Sequence, residues 1–247
     1  MDTMHTNDKI EGKKHIDAVE RRLNKKPVRL PVTPNVLKLL KLEIFSSDLT
    51  REKKLLLWAV STLAFAGAFR IHELLARQEK VYDPSFTLLY RDVNSKEIIV
   101  NGERVQILQI RLKSEKTDRI GADTIVDVYK SGGPLCPVRA FNKWNHVKTN
   151  FGGRVPAFLD ESGTPLTGRK FNEFLKSFLS KHLNYKIGGI SSHSFRAGVT
   201  SMVAKLGFSE EEMQALGRWS SSAYNAYIKL PRTRRLQMAK SIGALGL

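Results

Sequence analysis

Apolar and polar residues alternate with two different periods along the chain, helical on either side of a β-like middle. In the first stretch Thr33-Pro34 marks a helix start, because threonine caps a helix and proline is tolerated in its first turn. Val36, Leu39, Leu40 and Ile44 follow at helical spacing. A second helix starts near Asp48 or Thr50 and runs to about Ala68. It carries a long apolar run, Leu55 to Phe69, broken by Ser61, Thr62 and Gly67. A membrane span needs about 20 predominantly apolar residues, so this shorter, interrupted run predicts a helix buried in a protein core.

The middle of the chain changes period. Ile98–Val100, Val105–Leu112 and Thr124–Tyr129 are β-rich, and Asn101-Gly102 between the first two is a hairpin signal. Polar residues from Lys113 to Asp123 separate the second and third runs. The expected result is a small antiparallel sheet with a long basic hairpin tip. After Gly132-Gly133-Pro134 the pattern is helical again, over about 137–149, 169–182, 194–206, 209–216 and 221–229. Ser209-Glu210-Glu211-Glu212 forms a capping box at one of these starts. The fold class read from this order is mainly α with a small antiparallel β-sheet. Residues 1–31 form a basic segment or linker, with Lys25 to Pro31 held out of a helix by its prolines. Residues 32–235 form one domain, and 236–247 are a mildly apolar tail.

Composition narrows the partners. The chain has 247 residues, enough for one large domain or two small ones. Lys and Arg number 41 against 24 acidic residues, a formal charge of +17. Such an excess attracts polyanions and gains free energy by releasing their counterions. Nucleic acid is the first candidate, and an anionic membrane surface the rival. The single cysteine, Cys136, excludes an intrachain disulfide and fits a reducing, intracellular compartment. Between Leu135 and Pro137 it reads as a small buried hydrophobe. No Cys and His set has zinc spacing, and His72-Glu73 lacks a metalloprotease partner because position 76 is Ala76.

The last fifth of the chain carries residues suited to phosphate chemistry. Cutting a phosphodiester without a metal requires fixed positive donors, a nucleophile, and an acid for the leaving oxygen. Arginine suits the first task, since its planar fork matches two phosphate oxygens and keeps its charge. Arg70 follows the apolar helix, and Glu73 three residues on is placed to orient its guanidinium. His193 and Arg196 share one face if helical, with Ser191 and Ser192 before them as caps. Tyr224 and Tyr227 follow Trp219, and either phenol could serve as nucleophile if neighbouring cations help it lose its proton.

Four segments, in order and at domain-scale spacing, resemble the motifs of tyrosine recombinases: Arg70-Ile71-His72-Glu73-Leu74, His193-Ser194-Phe195-Arg196-Ala197-Gly198, Leu216-Gly217-Arg218-Trp219-Ser220-Ser221 and Tyr227-Ile228-Lys229. The wording Gly-Arg-Trp-Ser-Ser is similar to the eukaryotic mobile-element branch, the Crypton-like and DIRS-like recombinases. The resemblance covers about residues 32–235. It implies the tyrosine recombinase catalytic-domain fold, with Arg70 and Arg196 clamping the scissile phosphate and His193 and Trp219 assisting. It implies attack by Tyr227 and a 3′-phosphotyrosyl link, without ATP, metal or other cofactor. Lys116, before Thr117 between two strands, matches the family's lysine acid, with Lys113 and Lys96 as competitors.

Further expectations follow from that resemblance. Double-stranded DNA is the partner, with Lys113, Arg119, Arg218, Arg232, Arg234 and Arg235 as its cationic contacts. Self-association as a dimer or tetramer on DNA is implied, with the C-terminal segment docking on a neighbouring protomer. No membrane partner is implied, and in a eukaryote the compartment would be the nucleus. The interval from Trp219 to Tyr227 is one residue shorter than in phage and bacterial members, which keeps Tyr224 as second candidate. Relatives usually carry an N-terminal core-binding domain, for which the roughly 30 residues before the matching region are too few. Two alternatives stand beside integration or excision of a mobile element: an inactive, domesticated DNA-binding protein, and a type IB topoisomerase-like relaxing enzyme.

Overall fold

Every residue from Leu55 to Phe65 is buried, so the apolar run forms a helix enclosed on all sides. In the computed structural model, which describes residues 31–113, 124–148, 150, 152–180, 193–218 and 230–244, this is helix α2, Arg51–Ala66. Thr50 caps it by accepting from the Lys53 amide at 3.3 Å. Its two polar interruptions are satisfied locally. Ser61 Oγ donates to the Leu57 carbonyl at 2.7 Å and Thr62 Oγ1 to that of Trp58 at 3.0 Å, so neither buried hydroxyl lacks a partner. Helix α1, Pro34–Ser46, packs Leu37, Leu40 and Ile44 inward and is capped by Thr33.

After α2 the chain turns sharply through Gly67 and Ala68 and enters a one-turn helix, α3, Ile71–Leu74. Ala68 sits at φ +48°, a left-handed conformation that a Cβ disfavours. A Cβ on Gly67 would lie 2.1 Å from the Phe69 ring, so the turn is too tight for a side chain there. Arg70 emerges from this turn.

Three antiparallel strands follow in the order β1-β2-β3: Val93–Val100, Glu103–Leu112 and Thr124–Tyr129. Asn101 (φ +51°) and Gly102 (φ +80°) make the tight turn that the dipeptide predicts. The first strand starts five residues earlier than its β-rich core suggests. Asn94 to Glu97 are exposed, so this part of the strand is held by the ladder (Val93 opposite Ile110, Lys96 opposite Ile107) and not by burial. Period-two alternation divides β2 between two apolar layers. Leu108, Ile110 and Leu112 face the main core, whereas Val105 and Ile107 join Val100, Tyr129 and Leu236 on the other side.

Helix α4, Pro137–Val147, lies on α2, where Phe141 meets Trp144 and Phe158 edge-on and Trp144 lies tilted against Phe158, with centroids 5.2–6.4 Å apart. Helices α5 (Gly168–Ser180), α6 (His193–Lys205) and α7 (Glu210–Gly217) follow. The Ser209–Glu212 capping box forms in both directions. Cys136 is buried, as expected of a small hydrophobe.

The C-terminal segment differs from its reading as a tail. Arg232–Ala244 is a helix, α8, which runs through the expected boundary at 235 and packs on the sheet of its own chain. Leu236 covers the outer sheet layer, and Met238 and Ile242 reach the main core. Gly243 permits close approach, since a Cβ there would lie 2.7 Å from the Gly132 carbonyl oxygen. Lys240 adds an exposed ion pair with Glu103 at 2.7 Å. The expected helix at 221–229 and the hairpin tip at 114–123 lie outside the described residues.

Candidate phosphate-binding site

Two helical hairpins deliver the site. The turn after α2 presents Arg70 and Glu73, and the α6–α7 pair presents Arg196 and Arg218. Helix α6 is held firmly behind Arg196. Phe195 is fully buried, 6.0 Å from the Phe171 ring. The Val32 amide donates to the Ser194 carbonyl at 2.8 Å. Gly198 makes that approach possible, because a Cβ there would stand 1.9 Å from the Val32 oxygen. Thr200 Oγ1 donates to the Arg196 carbonyl at 2.9 Å, inside the same helix.

Glu73 organises the charges. Its Oε2 accepts from the Arg70 amide and from Arg218 Nη2, both at 2.8 Å. Its Oε1 accepts from Arg70 Nη1 at 3.3 Å. Glu73 therefore orients the Arg70 guanidinium, as its position three residues on suggests. The Arg70 side chain remains 38 % exposed, so it borders solvent, whereas Arg196 is only 6 % exposed. The positive charges of Arg70 and Arg218 both bear on Arg196. Burial first, then those two cations, lower the Arg196 pKa to about 10, against a weaker opposing pull from Glu73. The guanidinium is charged at neutral pH, but at a cost that an incoming anion would offset.

Arg218, read from sequence as a phosphate contact, points inward. Its Nη1 donates to the Gly67 carbonyl at 2.8 Å, and its Nη2 to that of Ala68 at 3.3 Å and to Glu73. The guanidinium lies 4.8 Å from the centroid of the Phe69 ring. Burial lowers its pKa, and the adjacent Glu73 carboxylate opposes that shift. Its backbone is left-handed, at φ +51° and ψ +45°, where it ends α7.

The other expected site residues fall into two groups. His193 opens α6 one turn before Arg196, with its side chain outside the described residues. Lys116, Arg119, Trp219, Tyr224 and Tyr227 also lie outside them. Lys113 and Arg234 are described and are engaged within the protein. Lys113 Nζ pairs with the buried Asp92 carboxylate at 3.1 Å, fixing the end of β2. Arg234 pairs with Glu212 of α7, donates to Gln237 at 2.6 Å and lies over the Phe208 ring. Both are expected DNA contacts, and both are paired with carboxylates within this chain. Arg232 is exposed and Arg235 half-buried, and both bear on the Tyr129 phenol. Burial and Asp127 raise the pKa of that phenol, which makes it a packing group and a poor nucleophile.

The inward role of Arg218 and the Lys113–Asp92 pair escaped sequence reading. The nearest signal for the first was an arginine directly after Gly217, at a helix end where glycine or asparagine is usual. Among the described residues no group of three or more His, Cys, Asp or Glu could hold a metal ion, and no helix is long and apolar enough to cross a membrane. The arrangement offers guanidinium groups converging on one carboxylate, with net positive charge left over for an anion.

No protein-family model matches the chain, and no curated protein sequence matches it. Solved structures do. The chain is similar to FLP recombinase in a Holliday-junction complex, at TM-score 0.53 and 12 % identity over 96 % of this chain and 57 % of that one. A Flpe–Holliday-junction complex matches at TM-score 0.54 and 12 % identity, over 97 % and 58 %. The Tn1549 transposon integrase bound to circular-intermediate DNA matches at TM-score 0.49 and 17 % identity, over 87 % and 67 %. The chain thus spans somewhat over half the length of the first two. Its architecture, helices around one three-stranded antiparallel sheet, is the tyrosine recombinase catalytic-domain fold.

Proposed function

We propose that the protein breaks and rejoins double-stranded DNA as a tyrosine recombinase, in the integration or excision of a mobile element. One observation supports the reading: the charges of Arg70 and Arg218, far from Arg196 in sequence, both bear on the buried Arg196, and Glu73 holds Arg70. The likeness in fold to recombinases solved on Holliday-junction DNA supports it.

In this reading Arg70 and Arg196 hold the non-bridging oxygens of one phosphate and stabilise the charge that builds up during transfer. The phenolic oxygen of Tyr227 attacks phosphorus, forming a 3′-phosphotyrosyl bond as the bond to the 5′ oxygen breaks. Lys116 gives that oxygen its proton, and a free 5′-hydroxyl leaves. His193 takes the phenolic proton or holds the phosphate. Trp219, whose indole is a donor only, hydrogen-bonds to the phosphate and cannot act as base. Attack by a 5′-hydroxyl reverses the step with the bond energy retained. The exposed Arg232, and Arg119 by its place in the sequence, add salt-dependent affinity for the duplex. Assembly as a dimer or tetramer on DNA and a Crypton-like or DIRS-like origin belong to the same proposal.

The test is covalent capture on a nicked suicide duplex. Tyr227→Phe should abolish the adduct while duplex binding persists. An adduct that survives Tyr227→Phe and is lost in Tyr224→Phe would move the nucleophile to Tyr224. Wild-type protein that binds the duplex but never forms an adduct would favour a DNA-binding protein without the chemistry.

A further inference from the structure

We infer that Arg218 is a positioning residue, which sets Arg70 through the shared Glu73 carboxylate and the turn that precedes Arg70. The inference rests on the proposed recombinase reading for its catalytic consequence, and on the geometry alone for the positioning.

Arg218 joins the two halves of the site. Its guanidinium reaches back to the turn after α2, where it donates to the carbonyls of Gly67 and Ala68 and to Glu73. Those carbonyls belong to the tight turn that launches Arg70. The same Glu73 carboxylate receives the Arg70 amide and guanidinium. A shift of Arg218 therefore reaches Arg70 by two routes, the turn and the carboxylate. The Phe69 ring closes the remaining face of the guanidinium.

The backbone at Arg218 points to the same role. A non-glycine residue at φ +51° is held there against a steric penalty, and glycine is the usual residue at such helix ends. The contacts of this particular side chain supply the compensation. They also explain why arginine is suited to the place: a planar group with several donors can serve three acceptors at once, whereas a lysine ammonium acts as one compact point.

The experiment compares wild type with Arg218→Lys, Arg218→Ala, Glu73→Gln and Arg218→Ala/Glu73→Gln. Single-turnover cleavage of a nicked suicide duplex is read beside duplex affinity, its salt slope and the Arg70 Nε–Hε NMR signal of the free protein. Misplacing a clamp by about 1 Å lowers reaction roughly 100-fold, and that loss is expected for Arg218→Lys with affinity and salt slope unchanged. The Arg70 signal should shift in Arg218→Lys. In the Glu73→Gln background, Arg218→Ala should have a much smaller further effect, as expected of residues sharing one network. A salt slope lower by about one in Arg218→Ala would mark a direct phosphate contact and overturn the inference. An unmoved Arg70 signal would also overturn it, whether or not the protein cleaves DNA. Absence of an adduct in wild type would instead sink the recombinase reading, leaving the NMR comparison to decide the positioning role.

Discussion

Charge is handled differently in two regions of this molecule. Around the sheet and α8, three cations each pair with one carboxylate: Lys113 with Asp92, Arg234 with Glu212, Lys240 with Glu103. At the turn after α2, one carboxylate, Glu73, is bonded by both Arg70 and Arg218, and the charges of both cations bear on the buried Arg196. There burial and like charges oppose the charged form of Arg196, and Glu73 favours it.

The largest way to sharpen the contrast is to remove a member of each set. Arg196→Met should lower covalent DNA cleavage by about 10²–10³-fold, the loss typical of one donor to a developing oxyanion. The same change should leave the thermal midpoint of the free protein unchanged or higher, because it removes a buried charge beside two like charges. Lys113→Ala should do the reverse. Stranding the buried Asp92 carboxylate should lower stability by about 3 kcal/mol, measured by urea denaturation, with the cleavage rate per folded molecule retained.

A second test uses pH. The Arg196 pKa is lowered to about 10 in the free protein, so the group is charged below that value and neutral above it. A bound anion favours the charged form. Sulfate affinity should therefore be full at neutral pH and fall as pH rises through about 10, well before an ordinary arginine would respond. Isothermal titration with sulfate between pH 8 and about 11 checks this, and Arg196→Met should flatten the curve across that window.

The smallest effect concerns the turn that launches Arg70. Ala68→Gly should relieve the left-handed strain at φ +48° and raise stability by roughly 1 kcal/mol, less the added entropy of the unfolded chain. Urea denaturation would show it. A rise in stability with a lower cleavage rate would mean that the strained turn holds Arg70 in its working place.

What the sequence disclosed follows from the range of the interactions involved. Thr33, Thr50 and Ser209 are legible as helix caps because a cap bonds to an amide three residues away. Asn101-Gly102 is legible because its turn needs φ > 0 at both positions. The start of β1 at Val93 was not, since Asn94 to Glu97 are exposed and their strand form depends on the facing β2. Helix α8 was missed because its apolar residues serve two different layers, Leu236 one and Met238 with Ile242 the other, so no single stripe stands out. Motif wording brought Arg70, Glu73 and Arg196 to notice; the fold joins Arg70 to Glu73 and leaves Arg196 under the influence of both charges. It could not show which way Arg218 turns, because the side chain's partners, Gly67, Ala68 and Glu73, are distant in sequence.

The central claim is that Arg70 and Arg196 serve one anion. A crystal structure of the protein grown with sulfate or vanadate, at neutral pH, tests it most directly. The account predicts a single anion within hydrogen-bonding reach of both guanidinium groups, with Glu73 still holding Arg70 and Arg218. Anions that occupy separate positions on Arg70 and Arg196, or a site left empty while exposed cations elsewhere are filled, would contradict it.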